Sequence, residues 1–260
     1  MQGPPESVSR LISELKTPED VINRYQSSLT KRPVLSRLDK ALACGRFVDG
    51  HGNVERLDDE RGISALEVAL IHFLVTTLKP VVTVETGFGL GVSALAFLAG
   101  TAEYERHKRH FSIDPLGLPG RGSTIRNYIE RTYYRRFTYV RERSEYALPR
   151  LITSGEVVDC SVSLVDGSHL FEIIMSDVTF LDRTTPVGGC IILDDAIFPA
   201  IETVINFFRA NKSNYDVIEF GPAVVLVKIA AADSRKWNHF RPFLVPDRTD
   251  WTPRTSRKQA

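Results

Sequence analysis

The sequence predicts an α/β protein: a doubly wound, seven-stranded sheet, mostly parallel with its last strand antiparallel, and an N-terminal helical layer. Three observations carry this. From residue 81 onward, strand-like runs alternate with helical segments through five successive units, the signature of a parallel sheet with helices on both faces. The first run, VVTVE (81–85), is almost unbroken apolar and β-branched, as in a strand covered on both sides. Several runs close on glycine or acidic residues, and it is beyond these carboxyl ends that open α/β sheets bind ligands.

Residues 1–60 are polar, with helical patches such as PEDVINRYQSSL and a Gly/Asp-rich turn at 48–53. They read as a helical layer rather than a separate domain. From Asp58 the texture changes. DDERGISALEVALIHFLVTTL spaces Ile63, Leu66, Leu70, Ile71, Leu74 and Leu78 helically, with Asp58 or Asp59 as the expected cap and Lys79-Pro80 as the stop. His72, inside that apolar helix, reads as a hydrogen-bonded core residue.

VVTVE is followed by a glycine turn and the helix SALAFLAG. HFSID (110–114) is a strand, and PLGLPGRGS a loop before a helix from about Thr124 to Arg136. FTYVRE (137–142), CSVSLVD (160–166) and GCIILDD (189–195) are strands, followed by helices around EYALPRLI, LFEIIMSDVTFLDRT and IETVINFFRAN. YDVIEFG (215–221) and AVVLVKI (223–229) meet at Gly221-Pro222, a link tight enough for an antiparallel hairpin. The chain therefore divides at 1–60, 61–230 and 231–260, with a basic, disordered tail expected at the end.

Composition narrows the function. The 260 residues, 43% hydrophobic and 25% charged, suit one large domain or two small ones and a sizeable core. Lys and Arg number 33 against 32 Asp and Glu, so no net charge argues for nucleic acid or a membrane surface as partner. Cys44, Cys160 and Cys190 are too few and too scattered for a disulfide framework or a CxxC zinc site. The N-terminus has no signal-peptide pattern, and the apolar stretch 65–78 is too short to span a bilayer. A cytoplasmic location is expected.

The strand ends hold the chemistry. After the first comes Glu85-Thr86-Gly87-Phe88-Gly89-Leu90-Gly91-Val92-Ser93. Its glycines permit a tight turn and close approach to a ligand, and the helix N-terminus that follows favours a carboxylate or phosphate. The spacing is GxGxG; a dinucleotide fingerprint would need glycine where Val92 stands. Glu85 suits a cationic ligand better than a pyrophosphate. The bland alternative is a strand–helix turn with no ligand. Asp114 closes the second strand, where an acid commonly accepts ribose hydroxyls; alternatively it caps a loop. Together the two favour a nucleoside.

Asp166-Gly167-Ser168-His169 and Asp194-Asp195 close the fourth and fifth strands. If these strands are neighbours, their ends lie about 5 Å apart. Asp166, Asp194 and Asp195 would then repel one another unless a divalent cation, Mg²⁺ by its preference for oxygen, lay between them. The alternative is that they cap the following helices. His169, three residues past Asp166, is expected at a helix start on the same side, a candidate general base.

These residues resemble the class I S-adenosylmethionine-dependent methyltransferases, whose sheet is Rossmann-like. The pattern is nearest the cation-dependent O-methyltransferases, both catechol-type and sugar or natural-product enzymes. The resemblance spans about 60–230 and rests on ETGFGLGVS (85–93), SIDP (112–115), ERSEYALPRL (142–151), VDGSH (165–169) and IILDD (191–195). It implies that Glu85 and Ser93 hold the methionine part of S-adenosylmethionine above a loop of Gly87, Phe88, Gly89 and Gly91. It places Asp114 on the ribose, Ser144 and Glu145 at the adenine, and Asp166 beside the cofactor. Asp166, Asp194 and Asp195 would hold Mg²⁺. His169 falls where catechol-type enzymes have lysine, and Asp195 where they have asparagine, so a catechol substrate does not carry over.

The expected activity is methylation of a hydroxyl on a small molecule, with His169 as base. The alternatives are a metal-independent N- or C-methyltransferase of the same fold, or a non-catalytic cofactor-binding scaffold. A nicotinamide oxidoreductase has the wrong glycine spacing. A nucleic-acid methyltransferase rests only on the basic, aromatic segment 131–143. The N-terminal helices and the 115–123 loop suit a substrate lid, and those helices suit a homo-oligomer interface equally well.

Overall fold

The computed structural model describes residues 4–57, 63–102, 104–116 and 123–246. Three helices come first: α1 (Glu6–Leu15), α2 (Pro18–Leu29) and α3 (Pro33–Cys44). α2 and α3 each open on proline, which at a helix start forfeits no hydrogen bond. Gly45, left-handed at φ 67°, ends α3. A hairpin follows, β1 (Arg46–Val48) with β2 (Val54–Arg56). Its turn is organised by Asp49, whose carboxylate accepts from the amides of His51 and Asn53 and from the Asn53 side chain.

α4 (Ala65–Leu78) starts later than the sequence suggested. Asp58 and Asp59 lie outside the described residues; the cap is Ser64, in a reciprocal capping box with Glu67. Lys79, left-handed at φ 49°, closes the helix before Pro80. β3 (Val82–Thr86), α5 (Val92–Thr101), β4 (Arg109–Ile113), α6 (Ser123–Thr132) and β5 (Phe137–Val140) continue the alternation. α6 ends four residues short of the expected Arg136. Next come α7 (Ser144–Thr153), β6 (Val162–Val165), α8 (Phe171–Thr184), β7 (Cys190–Leu193) and α9 (Pro199–Asn211). The hairpin β8 (Tyr215–Phe220) and β9 (Ala223–Lys228) closes the fold.

The large sheet has the order β5-β4-β3-β6-β7-β9-β8. β3 to β7 are parallel throughout, and β9 runs antiparallel to both β7 and β8. This is the expected seven-stranded, doubly wound sheet. The chain winds outward from β3 through β4 to β5, then returns to lay β6 on the other side of β3. The switch point thus lies between β3 and β6, where such sheets open a crevice.

Each face has its own core. On one, α4 and α5 cover the sheet, and Val8, Leu11, Tyr25, Leu35 and Leu38 from α1–α3 join the same apolar cluster. The N-terminal helices are therefore a second layer over α4 and α5. On the other face α7, α8 and α9 pack on Val84, Ile113, Val165 and Leu193. His72 is buried on α4, against the Arg32 guanidinium and edge-on to Tyr25. Among the described residues no helix is long and apolar enough to cross a membrane.

Candidate active site

The switch point forces glycine on the chain. Gly87 follows β3 at φ 89°, and a Cβ there would stand 2.2 Å from the backbone oxygen of Asp166. Three strand ends are laced directly: Asp166 N–H donates to Thr86 O at 2.9 Å, joining β6 to β3, and Gly87 N–H to Ile113 O at 2.8 Å, joining β3 to β4. Beside this seam opens a cavity of about 640 Å³, within the range of small-molecule sites. Of the predicted residues, Gly87, Gly89, Asp114, Ser144, Glu145 and Asp166 line it. Asp114 also organises the turn, its Oδ2 accepting from the amides of Phe88 (3.1 Å) and Gly89 (3.3 Å).

Four predicted residues sit beneath the cavity rather than in its wall. β3 runs to Thr86, one residue beyond the expected end at Glu85. Strand alternation therefore gives Thr86 to the cavity and sends Glu85 to the opposite face. There Glu85 is fully buried, accepting from Ser112 Oγ at 2.5 Å, with His110 Nε2 at 3.4 Å. Phe88 is buried against Phe137 and Tyr139, and Gly91, left-handed at φ 82°, leaves no room for a Cβ beside the Phe88 ring. Ser93 is buried in the first turn of α5.

On the other side of the seam β6 and β7 are neighbours, as the acidic reading required. Asp166, Asp194 and Asp195 offer oxygens that all lie within 4.8 Å of one another. The turn carrying them is strained: Asp195 is left-handed at φ 53°, and its amide donates to Asp194 Oδ1 at 2.6 Å. His169 arrives differently from expectation. α8 begins at Phe171, so His169 belongs to the preceding loop and not to a helix start. The loop lays its ring on Phe198, centroids 4.3 Å apart, with Nε2 3.3 Å from Asp195 Oδ2.

Glu67, which lies within the apolar stretch 65–78, was missed from the sequence. The capping box engages Glu67 Oε2 with Ser64 N–H at 2.7 Å. Oε1 is buried without a donor, and Asp194 is the neighbouring carboxyl. Burial, then Asp194, holds the Glu67 carboxyl well above the usual range. Burial, then Asp194 and Glu67, does the same to Asp166. An all-oxygen donor set, mutually repelling, with a buried orphan oxygen behind it, fits a hard divalent cation.

The basic, aromatic segment 131–143 is built into the fold. Tyr133 is buried, Tyr139 packs on Phe88, Arg131 pairs with Asp49 at 2.7 Å and Arg136 donates to Thr101 O.

Comparison with known proteins agrees with this geometry. Residues 84–196 match the family model described as a methyltransferase domain. The segment runs from within β3 past Asp195, so it holds both the glycine loop and the acidic triad. The fold is similar to the S-adenosylhomocysteine-bound methyltransferase PaMTH1 of Podospora anserina, with a TM-score of 0.52, 14% identity and coverage of 87% of this chain and 89% of that one. It is also similar to cofactor-bound Rv0187 from MTB, at 0.55 and 16%, covering 81% and 97%. TomG, the O-methyltransferase of Streptomyces achromogenes solved with S-adenosylmethionine, gives 0.54 and 13%, covering 65% and 83%. No curated protein sequence matches the chain. The matched segment is thus a methyltransferase domain, and the fold is that of methyltransferases solved with S-adenosylhomocysteine or S-adenosylmethionine bound.

Proposed function

We propose that the protein is an S-adenosylmethionine-dependent O-methyltransferase acting on a hydroxyl of a small molecule. Asp166, Asp194 and Asp195 would hold Mg²⁺, and His169 would be the base. The carrying observation is that the acidic triad and His169 stand at the same seam as the cavity between the glycine loop and Asp114. TomG and NovP, both described as O-methyltransferases, support the choice of oxygen as acceptor.

When bound, the cofactor supplies a methyl group activated on a sulfonium, and the cation a Lewis acid for the hydroxyl. The chain's own residues position and deprotonate. The cavity walls at Gly87, Gly89, Ser144 and Glu145 seat the cofactor, and Asp114 keeps the glycine turn closed beneath it. His169 would take the hydroxyl proton, leaving an oxygen ready to accept the methyl group that the cofactor would supply. Asp195 stabilises the imidazolium so formed, and Phe198 fixes the plane of the ring.

The test has two stages. Calorimetry should find micromolar binding of S-adenosylhomocysteine and none of NADH. Methyl transfer to a panel of hydroxylated small molecules should then require Mg²⁺ and stop in a chelator. Absence of nucleoside binding would overturn the cofactor assignment. Full activity in the chelator would leave a second reading, which the His169–Asp195 contact favours: a metal-independent His–Asp pair on the same fold.

A further inference from the structure

The net charge of +1 conceals an asymmetry. Residues 235–260 carry seven Lys and Arg against two Asp, a net of +5, and residues 1–234 carry 26 Lys and Arg against 30 acids, a net of −4. Both tryptophans of the chain, Trp237 and Trp251, fall in the same basic stretch. A basic, aromatic end on an acidic body suits an anionic surface as partner.

The first part of that stretch is held in place. Beyond β9 the chain forms no further helix or strand among the described residues, yet it is pinned along α9. Asn211, only 2% exposed, grips the backbone of Arg241 twice: its Oδ1 accepts from Arg241 N–H at 2.8 Å, and its Nδ2 donates to Arg241 O at 3.0 Å. Asn206 Nδ2 donates to Leu244 O at 3.1 Å, and Phe243 packs on Phe207 with centroids 5.7 Å apart. Upstream, Asp233 is tied to Lys212 and Arg235. A segment so anchored could bury its apolar side chains, but it turns four of them out. Trp237 is 97% exposed, and Phe240, Leu244 and Val245 are each more than half exposed. The first two alone present roughly 300 Å² of ring surface, on the scale of the largest apolar patch a monomer normally shows. Lys236 and Arg241 are exposed in the same run, and neither side chain meets a carboxylate among the described residues.

We propose that residues 235–246 are a membrane-docking element, by which the protein binds reversibly to the surface of an anionic bilayer. Trp237, Phe240, Leu244 and Val245 enter the interfacial layer, where tryptophan is favoured, and Lys236 and Arg241 lie among the lipid phosphates. Two arguments select this occupant. A second copy of the chain, packed patch to patch about a two-fold axis, brings like charges together, and residues 235–246 contain no acid to separate them. A single-stranded nucleic acid uses the rings and the cations but gives the aliphatic Leu244 and Val245 no role. A bilayer surface uses all six side chains.

The experiment is sedimentation of the full chain with vesicles of phosphatidylcholine alone, or with about a third of the lipid as phosphatidylserine, tryptophan emission being read on the same mixtures. Wild type should sediment with the anionic vesicles only, its emission moving to shorter wavelength. It should be released at about 1 M salt, where the screening length falls to about 3 Å. Lys236→Gln combined with Arg241→Gln should lower the partition coefficient about thirtyfold, roughly fivefold per cation. Trp237→Ser combined with Leu244→Ser should lower it about tenfold or more. All four side chains are exposed, so both double variants should keep the wild-type melting temperature. Wild type that ignores anionic vesicles, or folded variants that sediment as wild type does, would overturn the proposal. Binding of a single-stranded oligonucleotide without vesicle binding would overturn it in favour of nucleic acid. A dimer that Trp237→Ser dissociates, again without vesicle binding, would overturn it in favour of a second copy.

Discussion

At the scale of single residues, His169 carries the heaviest assignment. A positioned base is worth roughly 10²–10⁴-fold in rate. His169→Ala should lower turnover by that order and leave S-adenosylhomocysteine affinity unchanged, since the side chain stands with Asp195 and Phe198 rather than in the cavity wall. Turnover equal to wild type would remove it from the mechanism. Six of the predicted cofactor residues line the cavity because glycine turns and strand-end acids declare themselves by residue type and order. Glu85 lies on the face of β3 opposite Thr86, a burial that the almost unbroken apolar run 81–85 does not reveal. Glu67 was invisible for a different reason: it is an ionisable residue among apolar helical neighbours, and its place beside Asp194 is fixed by packing that no local pattern encodes.

At the scale of elements, α4 ties one core to the acidic cluster. Its Ser64–Glu67 box satisfies amides at the helix start and holds the Glu67 carboxyl beside Asp194. Two substitutions separate these roles. Ser64→Ala should cost about 1 kcal/mol, the usual worth of an N-cap. That lowers the melting temperature by roughly 2–4 °C in a chain of this size. Glu67→Gln keeps an oxygen for the Ser64 amide and removes a repelling charge. It should not destabilise the cation-free protein, but it should shrink the rise in melting temperature on adding Mg²⁺. An undiminished rise would detach Glu67 from the acidic cluster. The alternation, the strands and the closing hairpin were all legible in the sequence, to within a few residues at their ends. The start of α4 was not, because Asp58 and Asp59 resemble a cap as well as Ser64 does.

At the scale of the whole molecule, buried imidazoles set the response to acid. Burial first, then His110 and Arg136, pushes His107 down to about 3. Burial, then Arg32, pushes His72 down to about 4. The unfolded chain takes up these protons near pH 6.5, whereas the folded one refuses them until far lower. Each histidine therefore stabilises the fold above pH 6.5 and loses that contribution as pH falls, at about 1.4 kcal/mol per pH unit. His107→Gln should flatten the decline between pH 6.5 and 4 by one proton, measured by denaturant unfolding at several pH values. An unaltered slope would show that His107 is protonated in the folded state. Raised carboxyls, Asp177 among them, act with the opposite sign, so the difference between variant and wild type is the informative quantity.

The order of the sheet also governs when the protein can first exist. β9 lies between β7 and β8 although it is made after both. Until residues 223–228 leave the ribosome, β7 has an open edge, and β8 has nothing to pair with in the large sheet. The strand that delivers Asp194 and Asp195 is until then held on one edge only, by β6. A nascent chain halted before residue 223 would present that apolar edge to its neighbours, an invitation to aggregate. The edge beside the acidic centre is thus closed last, by a strand that contributes no residue to it.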